Sequence, residues 1–203
     1  KDLSPLSSLT HLTTLYISQN DIVDISPLAQ LTNLTTLIAG NNLIQDLPPL
    51  AALRSLTVLH ADSNRIQSIG PLSDLSQLND LVLANNQIAD LRSRTNLYQL
   101  HSLYLGGNRI GDVSALAALD RLVDLDLGEN RIFQLDALAG LVGLSRLDIR
   151  NNPLSSKACP IFPATVCEFS DGAAETYQAG EAQLAQGQVS LALRAFQNAL
   201  AVY

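Results

Sequence analysis

Three histidines, two cysteines and nineteen acidic side chains are the groups in this 203-residue chain that could do chemistry. Acid–base or nucleophilic catalysis needs a nucleophile held beside a base, and the spacing of the serines, histidines and aspartates assembles no such pair. G-x-G-x-x-G, the P-loop pattern and H-E-x-x-H are all missing; Gly106-Gly107-Asn108-Arg109 is one copy of a recurring turn. His11 and His101 fall where strands should begin. Cys159 and Cys167 could be free buried thiols, a small disulfide or part of a metal site, although no histidine follows His101 to complete a zinc set. Asp124, Asp126, Glu129 and Asp148 could gather around a cation, but Arg131, Arg146 and Arg150 stand close enough to neutralise them. No catalytic residue, metal or cofactor is expected.

The bulk composition narrows the field further. With 47% apolar and 15% charged residues the chain folds rather than staying disordered. Its length suits one large domain, or a domain with a small appendage. A net charge of -7 repels phosphate backbones, so nucleic acid is not an expected partner. No apolar run approaches the roughly 18 to 20 residues of a membrane span, so a soluble chain without membrane insertion is expected. Two cysteines are too few to build a disulfide scaffold.

The decisive feature is a repeat. Asparagine recurs every 22 residues, at Asn20, Asn42, Asn64, Asn86, Asn108, Asn130 and Asn152. Leucine stands five residues before each, from Leu15 to Leu147, and eight before each, from Leu12 to Leu144. Position three before holds Ile17, Ala39, Ala61, Leu83, Leu105, Leu127 and Ile149, and position two after holds isoleucine or leucine throughout. The resulting L-x-x-L-x-L-x-x-N-x-L pattern resembles the leucine-rich repeat family. The constant length and the apolar run after each asparagine resemble its 22-residue class, found in bacterial internalins and in a eukaryotic protein-phosphatase regulator. The resemblance covers residues 1–154 and implies an α/β fold: a right-handed solenoid with a parallel β-sheet on its concave face and short 3₁₀ or α turns on its convex face.

Elementary physics leads to the same arrangement. In each L-x-L segment alternate side chains point to opposite faces, which puts Leu15 and Ile17 inward and Tyr16 outward. One such strand cannot bury its apolar face alone, but stacked copies form a sheet over a continuous core. The asparagines are expected to pair backbone groups that the sheet leaves unsatisfied, a structural role. On the return, Ser4-Pro5 and Ser26-Pro27 place a hydroxyl before a proline, as a helix cap would. Pro49 and Pro71 fill the same slot, and leucines such as Leu28 and Leu31 should pack inward from a short turn. One unit departs, since Arg94 takes a normally apolar position, so its turn should be distorted, with the arginine stem lying over the core.

Both ends differ from the middle. The chain opens within a repeat and lacks a visible polar cap, which suggests a fragment. After Pro153, residues 155–170 carry Pro160 and Pro163 and lose the period, as expected of a loop closing the last open edge. Residues 171–203 are alanine-rich and helical in pattern. Gly180, Gly187, Ala192, Phe196 and Ala199 fall at the spacing of a tetratricopeptide repeat, so this tail resembles a two-helix hairpin of that family. Thr176, Ala179 and Gln183 stand where that family favours larger residues, which leaves a plain helical cap as the alternative.

With strands about 4.8 Å apart, equivalent outward positions become columns. Four residues before the asparagine the column reads Tyr16, Ile38, His60, Val82, Tyr104, Asp126 and Asp148. Six before it stand Thr14, Thr36, Val58, Asp80, Ser102, Asp124 and Arg146, and two before it Ser18, Gly40, Asp62, Ala84, Gly106, Gly128 and Arg150. An apolar and aromatic stripe that serves no core marks a protein-binding surface, and the small residues beside it should lower the floor for a bulky partner group. The expected function is a non-catalytic protein-interaction module. The candidate binding residues are Tyr16, Ile38, His60, Asp62, Val82, Tyr104, Asp124, Asp126, Asp148 and Arg150. The alternatives are a regulatory domain of a larger enzyme or an internalin-like surface protein. A cytoplasmic monomer is expected, or a secreted or surface protein if a signal peptide precedes the chain.

Overall fold

A three-residue strand gains too few hydrogen bonds to persist alone, so every strand here depends on the coil before it and the coil after it. A computed structural model describes residues 1–92, 96–156, 158–169, 180–187 and 189–201. Its strands are β1 (Thr14–Tyr16), β2 (Thr36–Ile38), β3 (Val58–His60), β4 (Asp80–Val82), β5 (Ser102–Tyr104), β6 (Asp124–Asp126), β7 (Arg146–Asp148) and β8 (Cys167–Glu168). They form one open sheet in chain order, each parallel to the next. The register advances by one repeat per strand, so Thr14 lies beside Thr36, Leu15 beside Leu37 and Tyr16 beside Ile38.

The middle residue of each strand points into the core: Leu37, Leu59, Leu81, Leu103, Leu125 and Leu147 are all buried. Behind them the third coil alone also buries Ala61, Ile66, Ile69, Leu72, Leu75 and Leu78. Each buried Leu or Ile stabilises the fold by roughly 1.5–3 kcal/mol, and because the core is continuous no coil can be removed without exposing its neighbours. Leu15, on the first coil, has only one neighbour and is half-buried.

Past each strand the chain must turn, and the repeat asparagine makes that possible. Asn42 donates from Nδ2 to the Ala39 and Ile17 carbonyls (3.0 and 2.9 Å), the second in the preceding coil, and its Oδ1 accepts from the Ile22 N–H at 3.0 Å. Asn64, Asn86, Asn108, Asn130 and Asn152 repeat these bonds in register. The residue before each asparagine is left-handed: Gln19, Asn41, Ser63, Asn85, Gly107, Glu129 and Asn151 all have φ between 54° and 68°. The fifth coil uses glycine there and the second, fourth and seventh use asparagine, which tolerates this region, so Gln19, Ser63 and Glu129 accept a conformation that their side chains normally avoid.

The return segments are 3₁₀ turns such as Ser26–Gln30, Pro48–Leu50 and Ser114–Ala118, with Leu28, Leu50 and Leu116 buried. The serines are not the caps that the Ser-Pro pairs suggest. Ser4 and Ser26 are the first helical residues and make no capping bond. An aspartate two residues earlier caps instead: Asp2 Oδ1 accepts from the Ser4 N–H at 2.8 Å, and Asp24 Oδ1 from the Ser26 N–H at 2.7 Å. Asp90 and Asp112 do the same for Arg92 and Ser114. The carboxylate takes the serine hydroxyl as well, since Ser4 Oγ donates to Asp2 at 2.6 Å and Ser26 Oγ to Asp24 at 2.9 Å, so the hydroxyl is spent as a donor. The distortion expected at Arg94 falls outside the described residues.

The segment after the last repeat does more than close an edge. It adds a short 3₁₀ turn (Ala164–Val166) and then β8, which pairs with β7 through Leu147 and Cys167. Ile161, Ala164, Val166, Cys167 and Phe169 are buried. Of the three possibilities for the cysteines, the structure has the disulfide, Cys159–Cys167. Beyond it, residues 180–185 are helical and a second helix spans Val189–Ala201. Gly187 has φ +74° between them, and Gly180 lies so close to the Phe196 ring that a Cβ there would come within 2.6 Å of it. Of the positions that weaken the tetratricopeptide likeness, Thr176 and Ala179 lie outside the described residues.

Candidate functional site

Strand register turns the sequence columns into physical ones. Tyr16, Ile38, His60, Val82, Tyr104, Asp126 and Asp148 are successive neighbours on the solvent face of the sheet, and Glu168 of β8 extends the line. Thr14 to Arg146 form the adjacent column.

The apolar stripe is less open than its sequence suggests. Tyr16 is 72% exposed, whereas Ile38, His60, Val82 and Tyr104 are half-buried, each flanked by a neighbour on both sides. Two of the rings are also tied down. His60 Nε2 donates to Asp80 Oδ2 at 3.0 Å, and Tyr104 Oη donates to Asp124 Oδ2 at 2.6 Å. In both cases the acceptor lies in the next coil, one column across. The Asp124 hydrogen bond, with partial burial and nearby negative charge, pushes the Tyr104 phenol up to about 12, so it remains a donor. Asp80 did not stand out in the sequence as a binding residue; the signal was its place twenty residues after His60.

At the other end the charges assemble into a network. Arg146 bonds Asp124 (3.2 Å), Asp148 (3.2 Å) and Glu168 (2.8 Å). Arg150 pairs with Asp148 and stands 3.6 Å from Glu168. Asp148, expected on the open surface, is only 3% exposed beneath these arginines. This end presents to solvent Arg150 and, to similar, smaller degrees, Arg146 and Glu168. Burial pushes the Asp148 carboxyl up, but the hydrogen bonds and charge of Arg150 and the charge of Arg146 outweigh it and leave it below its ordinary value. Glu168 lies beyond the repeat pattern, and only the pairing of β8 brings it here.

Between stripe and network lies a hollow of about 350 Å³. Ala84, Gly106 and Gly128 form its floor, Asp126 and Glu129 project into it, and Asn85, Gly107 and Asn151 stand on its rim. The small residues do lower the surface here, but the aspartates of following coils take part of the space. A Cβ on Gly106 would lie 2.9 Å from Asp126 Oδ2, and one on Gly128 would lie 3.2 Å from Asp148 Oδ1. At Gly40 the space is filled by the Asp62 carboxylate, so Gly40 and Asp62 contribute no opening.

Asp126 differs from its neighbour Asp148 in having no arginine at ion-pair distance among the described residues. Its Oδ1 accepts the Gly128 N–H at 2.9 Å. Burial is the main reason its carboxyl is pushed up, with Asp148 adding to the effect. A folded-state value above the unfolded one means that ionisation opposes folding, and the penalty disappears as pH falls through the carboxylate range. Asp148 acts with the opposite sign, its contribution being lost as pH falls. Asp126→Asn should therefore raise Tm slightly at pH 7, by no more than roughly 1 kcal/mol of stability, with the gain vanishing near pH 3. A Tm lowered at pH 7 in thermal unfolding would show that the ionised carboxylate stabilises the fold.

Among the described residues no group of three or more His, Cys, Asp or Glu is arranged to hold a metal ion, and no helix is long and apolar enough to cross a membrane. His101 immediately precedes β5, and its Nδ1 lies 2.8 Å from Asn79 Nδ2.

Sequence profiles for leucine-rich repeats match residues 10–52, 54–97 and 98–154. No curated protein sequence matches the chain. Among solved structures it is similar to an internalin of Listeria monocytogenes, with 35% identity and a TM-score of 0.79 over 84% of this chain and 51% of that one. The chain thus spans about half the length of that protein. An internalin C2 of the same organism is 28% identical, with a TM-score of 0.71 over 81% of this chain and 74% of that one. The ectodomain of a plant membrane receptor kinase from Arabidopsis thaliana, solved in complex with Casparian strip integrity factor 2, is 25% identical. Its TM-score is 0.68, over 78% of this chain and 20% of that one.

Proposed function

We propose that this chain, which belongs to the leucine-rich repeat family, is a non-catalytic module that binds a protein partner on the solvent face of its sheet. The observation that carries the reading is the seven-residue column from Tyr16 to Asp148, held in register by parallel pairing. A surface already ordered before contact loses little conformational entropy on binding. The hydrogen bonds of His60 and Tyr104 fix two of its rings in place. The fold is typical of protein-interaction modules, and the plant receptor ectodomain is similar in structure and was solved with a bound factor.

The test compares affinity capture by the wild-type chain, a Tyr16→Ala/Tyr104→Ala variant and a Val142→Ser variant. Val142 is 81% exposed and lies off the sheet face. Loss of the captured partner is expected for the double variant alone. Equal capture by all three, with unchanged Tm, would remove the sheet face as the site.

One observation favours a second reading about context. The Cys159–Cys167 disulfide suits an oxidising compartment, and the likeness to internalins points the same way. On this reading the chain is part of a secreted or surface protein rather than a cytoplasmic one. The helical tail, with Gly180 against Phe196, is consistent with a tetratricopeptide-like unit that would supply a second protein contact.

A further inference from the structure

We infer that the hollow over Ala84, Gly106 and Gly128 receives a basic side chain, lysine or arginine, from an extended segment of the protein partner whose apolar residue rests on the Ile38 end of the stripe. This rests on the sheet-face reading above and names the partner's chemistry.

Charge and room coincide in the hollow. Asp148 and Arg150 satisfy each other at its far end, whereas Asp126 and Glu129 form no ion pair among the described residues. Arg109 and Arg131, each next in sequence to a repeat asparagine, are not among the residues that line it. Across the hollow and the network beside it, two arginines face five carboxylates: Asp124, Asp126, Glu129, Asp148 and Glu168. Half-buried Asp126 accepts one backbone hydrogen bond, from the Gly128 N–H, and has no arginine within ion-pair distance among the described residues, so an arriving cation would meet a carboxylate that no neighbour neutralises by contact. The floor lacks side chains beyond a methyl, which leaves about 350 Å³ for a long basic side chain. An apolar group would gain little there, since most of what surrounds it is polar.

The spacing of the two anchors follows from the register. Ile38 on β2 and Asp126 on β6 are four strands apart in one column, which is about 19 Å at 4.8 Å per strand. An extended chain rises about 3.3 Å per residue, so the basic residue should fall roughly six positions from the apolar one. Between them Val82 and the Tyr104 ring offer an apolar floor.

The test uses a random twelve-residue peptide library displayed on phage, selected against the full chain. Selected peptides should carry Lys or Arg about six positions from an aliphatic or aromatic residue. Their affinity should fall at least tenfold for Asp126→Asn/Glu129→Gln, and weaken with added salt. That double substitution keeps shape and removes charge, and its Tm is measured alongside. Peptides that lose affinity on Tyr16→Ala or Ile38→Ser, yet show no basic enrichment and ignore Asp126→Asn/Glu129→Gln, would overturn the inference and leave the sheet-face reading standing. Peptides indifferent to every one of these substitutions would overturn both.

Discussion

Replacing Asn108 with alanine should cost the fold about 3–4 kcal/mol and lower Tm by roughly 10 °C. Its Nδ2 donates to the Leu83, Leu105 and Gly106 carbonyls at 3.0, 2.9 and 3.4 Å, and its Oδ1 accepts the Ile88 N–H at 2.9 Å. The side chain is only 8% exposed, so alanine would strand a buried donor and buried acceptors where water cannot replace the amide. Each stranded group costs about 1–3 kcal/mol. The first rung supplies the comparison. Asn20 is half-buried, and its Nδ2 serves only the Ile17 and Ser18 carbonyls of its own coil. Asn20→Ala should therefore cost only about 1 kcal/mol. Equal losses for the two substitutions in denaturant unfolding would mean that bonding between coils is not what the ladder contributes.

Reduction of the Cys159–Cys167 disulfide should remove about 2–3 kcal/mol, the loop-closure value for a separation of eight residues. The effect should be local. Cys167 lies in β8 against Leu147, and the segment around it buries Ile161, Val166 and Phe169. In a stacked array each unit is stabilised by its neighbours, so loosening the end exposes the last coils first. Hydrogen exchange on reduction should rise at Leu147, Ile149 and Phe169 well before it rises at Leu59. Uniform acceleration along the chain, or none, would show that the bridge does not hold the end closed. A looser β8 would also withdraw Glu168 from Arg146, which ties the charged end of the sheet face to the redox state of the cap.

Within the repeats the candidate site was readable because side-chain direction follows from strand alternation alone. Tyr16, Ile38, His60, Val82 and Tyr104 form a column wherever coils of equal length stack in register. How open that column is could not be read this way. Exposure depends on what the neighbouring coil sends across: Asp80 to His60, Asp124 to Tyr104, Asp62 over Gly40. Asp126 and Asp148 occupy equivalent places in the pattern and their carboxyl pKa values shift in opposite directions, since among the described residues only Asp148 has arginines at ion-pair distance. Capping followed a similar course, with Ser-Pro marking the turn and the aspartate two residues earlier making the bond.

The sequence by itself determined the architecture, because a 22-residue period with leucines at fixed places has one way to bury them all. It also determined which side chains face outward and the order in which they line up. The tertiary structure alone decided that the segment after the repeats contributes β8, that the cysteines are bonded, and that Glu168 completes the charged network. Periodicity carries information only where it continues; at the end of the array each contact is made once, by residues distant in the chain, and has no second copy to reveal it.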